Sequence, residues 1–271
     1  MRARDKTTGT TPIPATSAAD RPHAPAATGA RAAVGALAFL TRAPVGTRAD
    51  ADLAHAAPLF PAVGALIGAV VGGTATLLAF ALPPLVAAGI AVALEVAITG
   101  ALHLDGLADS ADGLAGRDRE HALAIMRDHV VGTYGTCALV LNLLVKTAAV
   151  AALAGGDAIL VVIAAYTVSR AAALPLAAAL GPARPGPGVG RLIAGRLSLR
   201  VAAAGTLLSA VIATAASGWR AAPTLGCLAV VTAVVGVTAR RRLGGVTGDT
   251  FGAAIELTAT LALVVAAAVD P

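Results

Sequence analysis

Apolar runs of about 20 residues recur along most of this 271-residue chain, and they constrain its fold more than any other feature. A helix rises about 1.5 Å per residue, so such a run can cross a hydrocarbon core of about 30 Å. The runs lie at residues 59–82, 85–104, 133–154, 158–180, 199–217, 222–239 and 253–269. Charged residues make up only 13% of the chain, whereas soluble domains carry about 25%. The sequence therefore predicts an all-α, polytopic transmembrane helix bundle of about seven spans.

The N-terminal segment differs from the rest of the chain in composition. Residues 1–30 are rich in Thr, Pro and Ala and show no apolar period, so they predict a disordered cytoplasmic tail. Residues 31–271 predict a single integral membrane catalytic domain. Its first part, 31–45, is too short to span a membrane, and it predicts an interfacial or re-entrant helix that stops at Pro44.

The positive charges predict the topology. Of the 20 Lys and Arg residues, 17 lie before the first span, after the second, around the loop between the fourth and fifth, or after the sixth. Because short cytoplasmic segments carry an excess of Lys and Arg, this pattern predicts a cytoplasmic N-terminus and a C-terminus on the opposite side. The net charge of +5 has the same explanation, and the lack of basic residues interleaved with aromatic ones argues against a nucleic-acid partner.

An acidic segment after the second span carries the strongest chemical pattern. Asp105, Asp109 and Asp112 are spaced i, i+4, i+7, which places three carboxylates on one face of a helix. Like charges at the end of a membrane span repel each other, and a hard divalent cation such as magnesium relieves that repulsion. A solvated acidic loop is the alternative, but Gly106 and Gly113 are not needed in such a loop. We interpret the three aspartates as a metal site.

Upstream, Glu95, Thr99 and His103 follow at i, i+4, i+8 on the second span. An ionisable Glu inside an apolar helix is costly, and by default it indicates function. We therefore include Glu95 among the metal ligands. The alternative is that Glu95 pairs with Lys146 or Arg170 inside the bundle, and both interpretations can hold together.

A second acidic segment begins the last span. Asp249 and Glu256 are spaced i, i+7 and follow a glycine-rich approach at 244–248. Free backbone N–H groups at a helix N-terminus bind phosphate readily. If this segment and the three aspartates form one site, the two helices that carry them must pack together. Glu256 lies two turns deeper, and pairing with Lys146 or Arg170 is the alternative for it.

Residues 117–128 (RDREHALAIMRD) predict a short amphipathic helix along the membrane surface. Arg127 and Asp128 can bind a substrate phosphate there, although a solvated, salt-bridged helix face explains them equally well.

Four motifs resemble those of the cobalamin synthase family, the adenosylcobinamide-GDP ribazoletransferases. They are FLTRAPV (39–45), the run 103–113, IMRDHVVGTYG (125–135) and LGGVTGDTFGAAIE (243–256). The resemblance implies a multi-pass enzyme of the bacterial inner membrane with its active site on the cytoplasmic side. It also implies that adenosylcobinamide-GDP and α-ribazole, or its 5′-phosphate, are joined with magnesium and release of GMP.

The resemblance assigns roles to the acidic and basic residues. Magnesium would be held by Asp105, Asp109, Asp112, Asp249 and Glu95. The catalytic base would be one of the aspartates or His103. The residues expected to bind substrate are Arg117, Arg127, Lys146, Gly248, Thr250 and Glu256.

Two other classes remain open at this point. The run Asp109–Arg117 is similar to the start of the CDP-alcohol phosphotransferase motif, with Gly116 in place of Ala, but the later paired Asp of that motif is absent at the required spacing. An ion-coupled transporter could instead use the charged residues within spans. Against a transporter, the carboxylates crowd one end of the spans and no inverted repeat is apparent.

Overall fold

The computed structural model describes residues 29–45, 53–154, 158–185 and 189–269, and it shows a helical protein. The α-helices of that part are α1 Gly29–Leu40, α2 Leu53–Ala56, α3 Phe60–Ala79, α4 Pro84–Thr99, α5 Leu102–Leu114, α6 Arg119–Ile125, α7 Thr133–Ala152, α8 Ala158–Ala171, α9 Ala173–Ala179, α10 Leu199–Ser217, α11 Ala221–Leu243 and α12 Gly248–Val269. Among the described residues, β pairing is limited to one isolated bridge between Pro182 and Val246. The all-α prediction is confirmed.

Five described stretches are long and apolar enough to cross a membrane, or six if α4 and α5 form one bent span. The five are Leu53–Ala79, Thr133–Ala152, Ile159–Ala179, Leu199–Leu243 and Gly248–Val269. The sequence predicted about seven. The difference arises because the second predicted span is counted only if α4 and α5 are taken together, and because Leu199–Leu243 holds predicted spans five and six. Those 45 residues form α10 and α11, which are separated by a turn where Gly218 has a φ of +59°. The polytopic bundle is confirmed, and the cytoplasmic side of its N-terminus stays a prediction.

The second predicted span, 85–104, is wrong at its C-terminal end. α4 ends at Thr99, α5 begins at Leu102, and the two helices meet at an angle of 90°. Gly100 and Ala101 between them have φ values of +62° and +58°, a left-handed backbone that cannot continue an α-helix. The bend separates α5 from α4, so His103 belongs to α5 and does not continue the helix that carries Glu95 and Thr99.

The N-terminal helix also begins earlier than predicted. α1 begins at Gly29, so the last two residues of the predicted tail 1–30 are helical, and residues 1–28 lie outside the described part. The helix ends at Leu40, before Pro44, and its 12 residues measure about 18 Å, which is too short to cross a membrane. The backbone N–H of Arg42 donates a 2.7 Å hydrogen bond to the carbonyl of Ile98, which holds this segment against the end of α4.

α8 lies at the centre of the bundle. Its residues Ala164 and Tyr166 are fully buried. α3 packs along it through Gly68, where an added Cβ would lie 2.8 Å from the Cα of Ile163. Such close backbone contact is typical of membrane helices that pack through small residues. Large apolar side chains on the outer helices, such as Leu141 of α7, are exposed, as expected for surfaces that contact lipid.

Candidate active site where α5 crosses α12

The two helices that carry the acidic segments cross in direct backbone contact. A Cβ added to Gly106 of α5 would lie 2.8 Å from the carbonyl oxygen of Asp249 and 3.2 Å from the Cα of Gly252. A Cβ on Gly252 would in turn lie 3.1 Å from the carbonyl oxygen of His103. Only glycine permits this approach, which explains why a glycine interrupts the acidic segment. The prediction that the two helices pack together is confirmed.

The three aspartates of α5 share one helical face but have different surroundings. Asp105 is exposed, Asp109 is half-buried and Asp112 is buried. Both oxygens of Asp112 accept backbone hydrogen bonds, from Gly132 N–H at 2.7 Å and from Gly135 N–H at 2.8 Å. These donors belong to the first turn of α7, so Asp112 caps that helix from a neighbouring one. Its assignment as a metal ligand stays a prediction, and binding a metal would compete with this capping.

Asp109 has the most unfavourable electrostatic environment of the three. Partial burial, followed by the neighbouring carboxylates of Asp105, Asp249 and Asp112, raises the pKa of Asp109 to about 6. The pKa of Asp109 therefore depends on carboxylates of both α5 and α12. With a pKa of about 6, this carboxyl is mostly ionised at neutral pH and is therefore able to bind a cation.

The start of α12 brings cationic and backbone groups to the same place. Thr247 and Thr250 cap the helix reciprocally: the N–H of Thr250 donates to Thr247 Oγ1 at 3.2 Å, and the N–H of Thr247 donates to Thr250 Oγ1 at 2.9 Å. The guanidinium of Arg184 lies 3.6 Å from Asp249 Oδ2. The predicted substrate-binding residue Gly248 is exposed at the first position of the helix. Sequence reasoning used Arg184 only for topology and missed this ion pair.

Residues Glu95, Lys146, Arg170 and Glu256 form a separate buried cluster within the bundle. Lys146 Nζ donates to Glu256 Oε2 at 2.6 Å and to the two oxygens of Glu95 at 3.2 and 3.3 Å. Arg170 Nη2 lies 3.4 Å from Glu95 Oε1, and the hydroxyl of Tyr166 donates to Glu95 Oε2 at 2.6 Å. Two cations face two carboxylates, so the formal charges balance in an environment where an unpaired charge is costly.

Asn142 extends this cluster toward the end of α12. Its side-chain amide donates to Glu256 at 3.1 Å and accepts from the hydroxyl of Thr260 at 2.7 Å. The pairing of Glu95 with Lys146 or Arg170, which the sequence left open, is what the structure shows. Metal binding by Glu95, and substrate binding by Lys146 and Glu256, stay predictions. Polar residues at helical spacing within apolar runs were the available signal for Asn142 and for Tyr166, which sequence reasoning missed.

His103 lies apart from the face that carries the aspartates. It precedes Asp105 by two residues, which turns its side chain by about 160° from that carboxylate on an α-helix. The imidazole is 3% exposed, and neither ring nitrogen has a hydrogen-bond partner among the described residues. The structure thus places His103 inside the bundle, on the opposite side of α5 from Asp105. Its role as the catalytic base stays a prediction that this position does not favour.

Several arginines join the loops around the crossing. Arg119 donates to the carbonyls of Leu243 and Ala183 at 2.7 and 2.5 Å, and Arg242 donates to that of Gly116 at 2.8 Å. These bonds hold α6, the loop after α9 and the end of α11 at one end of the bundle. The predicted phosphate-binding residues Arg117 and Arg127 are exposed at that same end.

The acidic side chains of the crossing do not point to a common metal position in this structure. In the described part of the chain, no three His, Cys, Asp or Glu side chains are placed to hold a metal ion together. The crossing nevertheless brings Asp105, Asp109 and Asp249 close enough to influence one another electrostatically. Because Asp105 is exposed, its side chain has room to rotate toward the other two.

Comparison with known proteins identifies the family. The family model described as cobalamin-5-phosphate synthase matches residues 32–267. The chain belongs to the cobalamin-5-phosphate synthase family. It is 41% identical over 239 residues to an adenosylcobinamide-GDP ribazoletransferase of Pseudomonas paraeruginosa, which covers 84% of this chain and 94% of the relative. It is 42% identical over 242 residues to one of Azorhizobium caulinodans, which covers 82% of this chain and 89% of the relative.

Membership of the cobalamin-5-phosphate synthase family confirms the resemblance found in the four sequence motifs. An adenosylcobinamide-GDP ribazoletransferase of Rhizobium etli is also similar, with 37% identity over 238 residues, or 82% of this chain and 90% of the relative. No solved structure matches the chain. The family match includes both helices of the crossing and the whole buried ion cluster.

Proposed function

We propose that this chain is an adenosylcobinamide-GDP ribazoletransferase, which joins adenosylcobinamide-GDP to α-ribazole, or its 5′-phosphate, and releases GMP. The observation that carries the proposal is the contact of α5 with α12 at Gly106 and Gly252, which places Asp105 and Asp109 beside Asp249. A diphosphate substrate needs cations and backbone donors around it, and this crossing offers sites for both. The relatives that carry this activity in their names support the assignment.

Magnesium fits the chemistry of this crossing. Asp105, Asp109 and Asp249 would hold it, since carboxylate oxygens are the ligands that magnesium prefers. Burial and the neighbouring carboxylates both raise the pKa of Asp109, and a cation beside these carboxylates would relieve their mutual repulsion. A magnesium ion held by these residues would supply neutralisation of the diphosphate and of the charge that develops on the leaving phosphate. Asp112 would remain at the N-terminus of α7, where it positions that helix against α5.

The chain's own groups bind the diphosphate and handle the proton. Arg184 and the exposed N-terminus at Gly248 are placed to bind phosphate oxygens next to Asp249. A sugar hydroxyl of the ribazole attacks the phosphorus attached to cobinamide, the phosphoanhydride bond breaks, and GMP leaves. The hydroxyl proton passes to a carboxylate of the crossing.

We further propose that the crossing faces the cytoplasm of a bacterial cell, within the inner membrane. The arginines that bind α6, the loop after α9 and α11 to one another support this, because these basic segments lie together at one end of the bundle. The predicted transporter alternative gains no support from the buried cluster, whose cations and carboxylates are paired with one another. A CDP-alcohol phosphotransferase would use Asp109 and Asp112 together, but Asp112 is already engaged by α7.

The decisive experiment measures GMP release by the purified protein from adenosylcobinamide-GDP and α-ribazole, with magnesium and with a chelator. We expect turnover only with magnesium. Asp105→Ala and Asp109→Ala should each abolish turnover, and the double variant should be barely worse than either single one because both act on the same step. The matched control is Asp118→Ala, which removes a carboxylate from an exposed N-cap outside the crossing. Magnesium-independent turnover, or near-wild-type rates in both single variants, would refute this assignment of the site.

A further inference from the structure

The backbone that carries Arg184 is fixed beside the start of α12. The N–H of Ala183 donates to the carbonyl of Val246 at 2.8 Å, and the N–H of Val246 donates to the carbonyl of Gly181 at 2.9 Å. The guanidinium of Arg119 donates to the carbonyl of Ala183 at 2.5 Å. Because these hydrogen bonds hold the backbone next to Arg184 in place, the side chain of Arg184 is the part that can change position.

The guanidinium of Arg184 is itself held loosely. Its Nη2 lies 3.6 Å from Asp249 Oδ2, and its Nη1 donates to the carbonyl of Leu123 at 3.4 Å. Charge-assisted N–H···O bonds are typically about 2.7–2.9 Å long, so both contacts are long and weak. The side chain is also 26% exposed, and ion pairs that reach solvent contribute little to stability. Separating the guanidinium from Asp249 therefore costs little free energy.

Asp249 Oδ2 lacks a strong partner. The oxygen is buried, and it accepts no hydrogen bond from the described residues, which is costly for a buried acceptor. A magnesium ion would bond a carboxylate oxygen directly at about 2.1 Å, which is much closer than a guanidinium at 3.6 Å. Because two cations beside one oxygen repel each other, Arg184 and a divalent cation compete for Asp249.

A position suited to an anion lies next to Asp249 and within reach of the displaced guanidinium. Gly248 precedes Asp249, is exposed, and occupies the first position of α12. The N-terminus of a helix attracts phosphate through its free N–H groups and its dipole. A guanidinium matches phosphate through two parallel N–H···O bonds. Arg184 can therefore bind a diphosphate at this position by a movement of its side chain alone.

We propose that Arg184 changes partners during substrate binding: it pairs with Asp249 first, and it transfers to the diphosphate when a divalent cation binds Asp249. The proposal rests on the proposed transferase function, because it describes how one site takes both the cation and the diphosphate. Arg184 neutralises Asp249 until a cation displaces it, and only then is its guanidinium free for the substrate. The site therefore binds adenosylcobinamide-GDP together with a cation and not alone.

Arg184→Met tests the competition with the cation, because it removes the guanidinium and keeps an unbranched side chain. The matched control is Arg241→Met, which removes an exposed cation from the last turn of α11. The probe is Mn²⁺ alone, which binds oxygen ligands as magnesium does and is measured as the free ion by electron paramagnetic resonance. We expect Arg184→Met to bind Mn²⁺ about two- to fivefold more tightly than the wild type, since the competing ion pair is gone. Arg241→Met should stay within about 1.5-fold of the wild type.

The second ligand is GDP, which carries the same diphosphate as the substrate. In saturating Mn²⁺, calorimetric titration should show that Arg184→Met binds GDP at least about tenfold more weakly, because charge-assisted bonds to phosphate are lost. Arg241→Met should stay within about twofold of the wild type. The proposal thus predicts changes of opposite sign for the two ligands. Loss of a residue with a merely structural role would weaken the binding of both.

The Asp249→Asn background shows whether the gain in Mn²⁺ affinity depends on Asp249. In that background Arg184→Met should leave the Mn²⁺ affinity unchanged, because no charged partner is left to release. If the affinity still rises there, Arg184 acts through its charge alone and the proposal is wrong. An unchanged or lower Mn²⁺ affinity of folded Arg184→Met, or an unchanged GDP affinity, would also overturn it. Arg184→Gln, which is equally neutral, serves if Arg184→Met does not fold.

Failure of the proposed function gives a different result from failure of this inference. If the two affinities change in opposite directions but the wild type releases no GMP from adenosylcobinamide-GDP and α-ribazole, the transferase function fails and the role of Arg184 stands. If the wild type releases GMP with magnesium but the two affinities do not change in opposite directions, the transferase function stands and the change of partners by Arg184 is wrong.

Discussion

Removing the ammonium of Lys146 tests whether the buried ion cluster holds the bundle together. Lys146 is 1% exposed, and its Nζ lies 2.6 Å from Glu256 and 3.2 Å from Glu95. The variant Lys146→Met keeps most of the side-chain volume but leaves two buried carboxylates against the single cation of Arg170. Breaking a buried pair by removing one partner typically costs about 3–5 kcal/mol.

That cost should be visible in a thermal unfolding experiment. For a chain of this size, about 1 kcal/mol corresponds to roughly 2–4 °C, so Lys146→Met should lower the Tm by about 10 °C. The assay heats detergent-solubilised protein and measures the remaining monodisperse fraction by size-exclusion chromatography. The control is Val145→Met, whose position on the same helix is 43% exposed, and it should stay within about 2 °C of the wild type.

A double variant separates the charge from the packing. Lys146→Met combined with Glu256→Gln leaves one cation and one carboxylate, so the charges balance again. We expect the double variant to be more stable than the sum of the two single losses by about 1–3 kcal/mol. Strict additivity of the two losses, or a Tm for Lys146→Met equal to that of Val145→Met, would show that the cluster is not an energetic unit.

Four further predictions concern the crossing and the topology. The fold raises the pKa of Asp109 and so favours its neutral form, whose contribution to stability is present below pH about 4 and is lost as pH rises through about 6. In the presence of a chelator, Asp109→Asn should therefore stabilise the protein at pH 8 by about 1 kcal/mol, after allowance for solvent screening, and should have little effect at pH 4, as measured by Tm. Asp112→Asn should lower stability by about 1–3 kcal/mol, because it weakens the hydrogen bonds that Asp112 accepts at the N-terminus of α7. The control Asp105→Asn, at an exposed site, should leave Tm within about 1 °C of the wild type, and equal Tm values for the two variants would refute the capping role. Asp249→Asn keeps the size and hydrogen bonding of the side chain but removes its charge. Initial rates measured against magnesium concentration should show severely reduced turnover and a weaker magnesium dependence, and an unchanged curve would exclude Asp249 as a magnesium ligand. Ala222→Cys, in a background without the native cysteines and next to the exposed Trp219, should react with an impermeant thiol reagent in intact cells, and labelling only after lysis would reverse the topology.

Periodicity was sufficient to predict the parts of the site that lie on single helices. The i, i+4, i+7 spacing placed Asp105, Asp109 and Asp112 on one face because α5 is indeed a helix over that range. The proximity of Asp249 followed from an argument about which ends of the spans share one side of the membrane. Both predictions rest on regular geometry, which a sequence carries explicitly.

Features that depend on tertiary contacts were not predictable in the same way. The bend between α4 and α5 needs Ala101 to adopt a left-handed backbone conformation. Alanine adopts this conformation rarely, and no local sequence pattern predicts it here. The engagement of Asp112 by Gly132 and Gly135 depends on how α7 packs against α5. The pairing of Glu95 remained ambiguous because several charged residues within spans could have satisfied it.

The interactions of α5, α7 and α12 form a closed triangle that holds the carboxylates of the crossing in place. The glycine contact at Gly106 sets the distance between α5 and α12. Asp112 binds the N-terminus of α7 to α5, and Lys146 binds α7 to α12 through Glu256. Each side of the triangle uses a different kind of interaction, so loss of one leaves the other two in place. The helices therefore hold Asp249 beside α5 before any ligand binds, and the repulsion that this placement creates is offset by bonds formed elsewhere in the bundle.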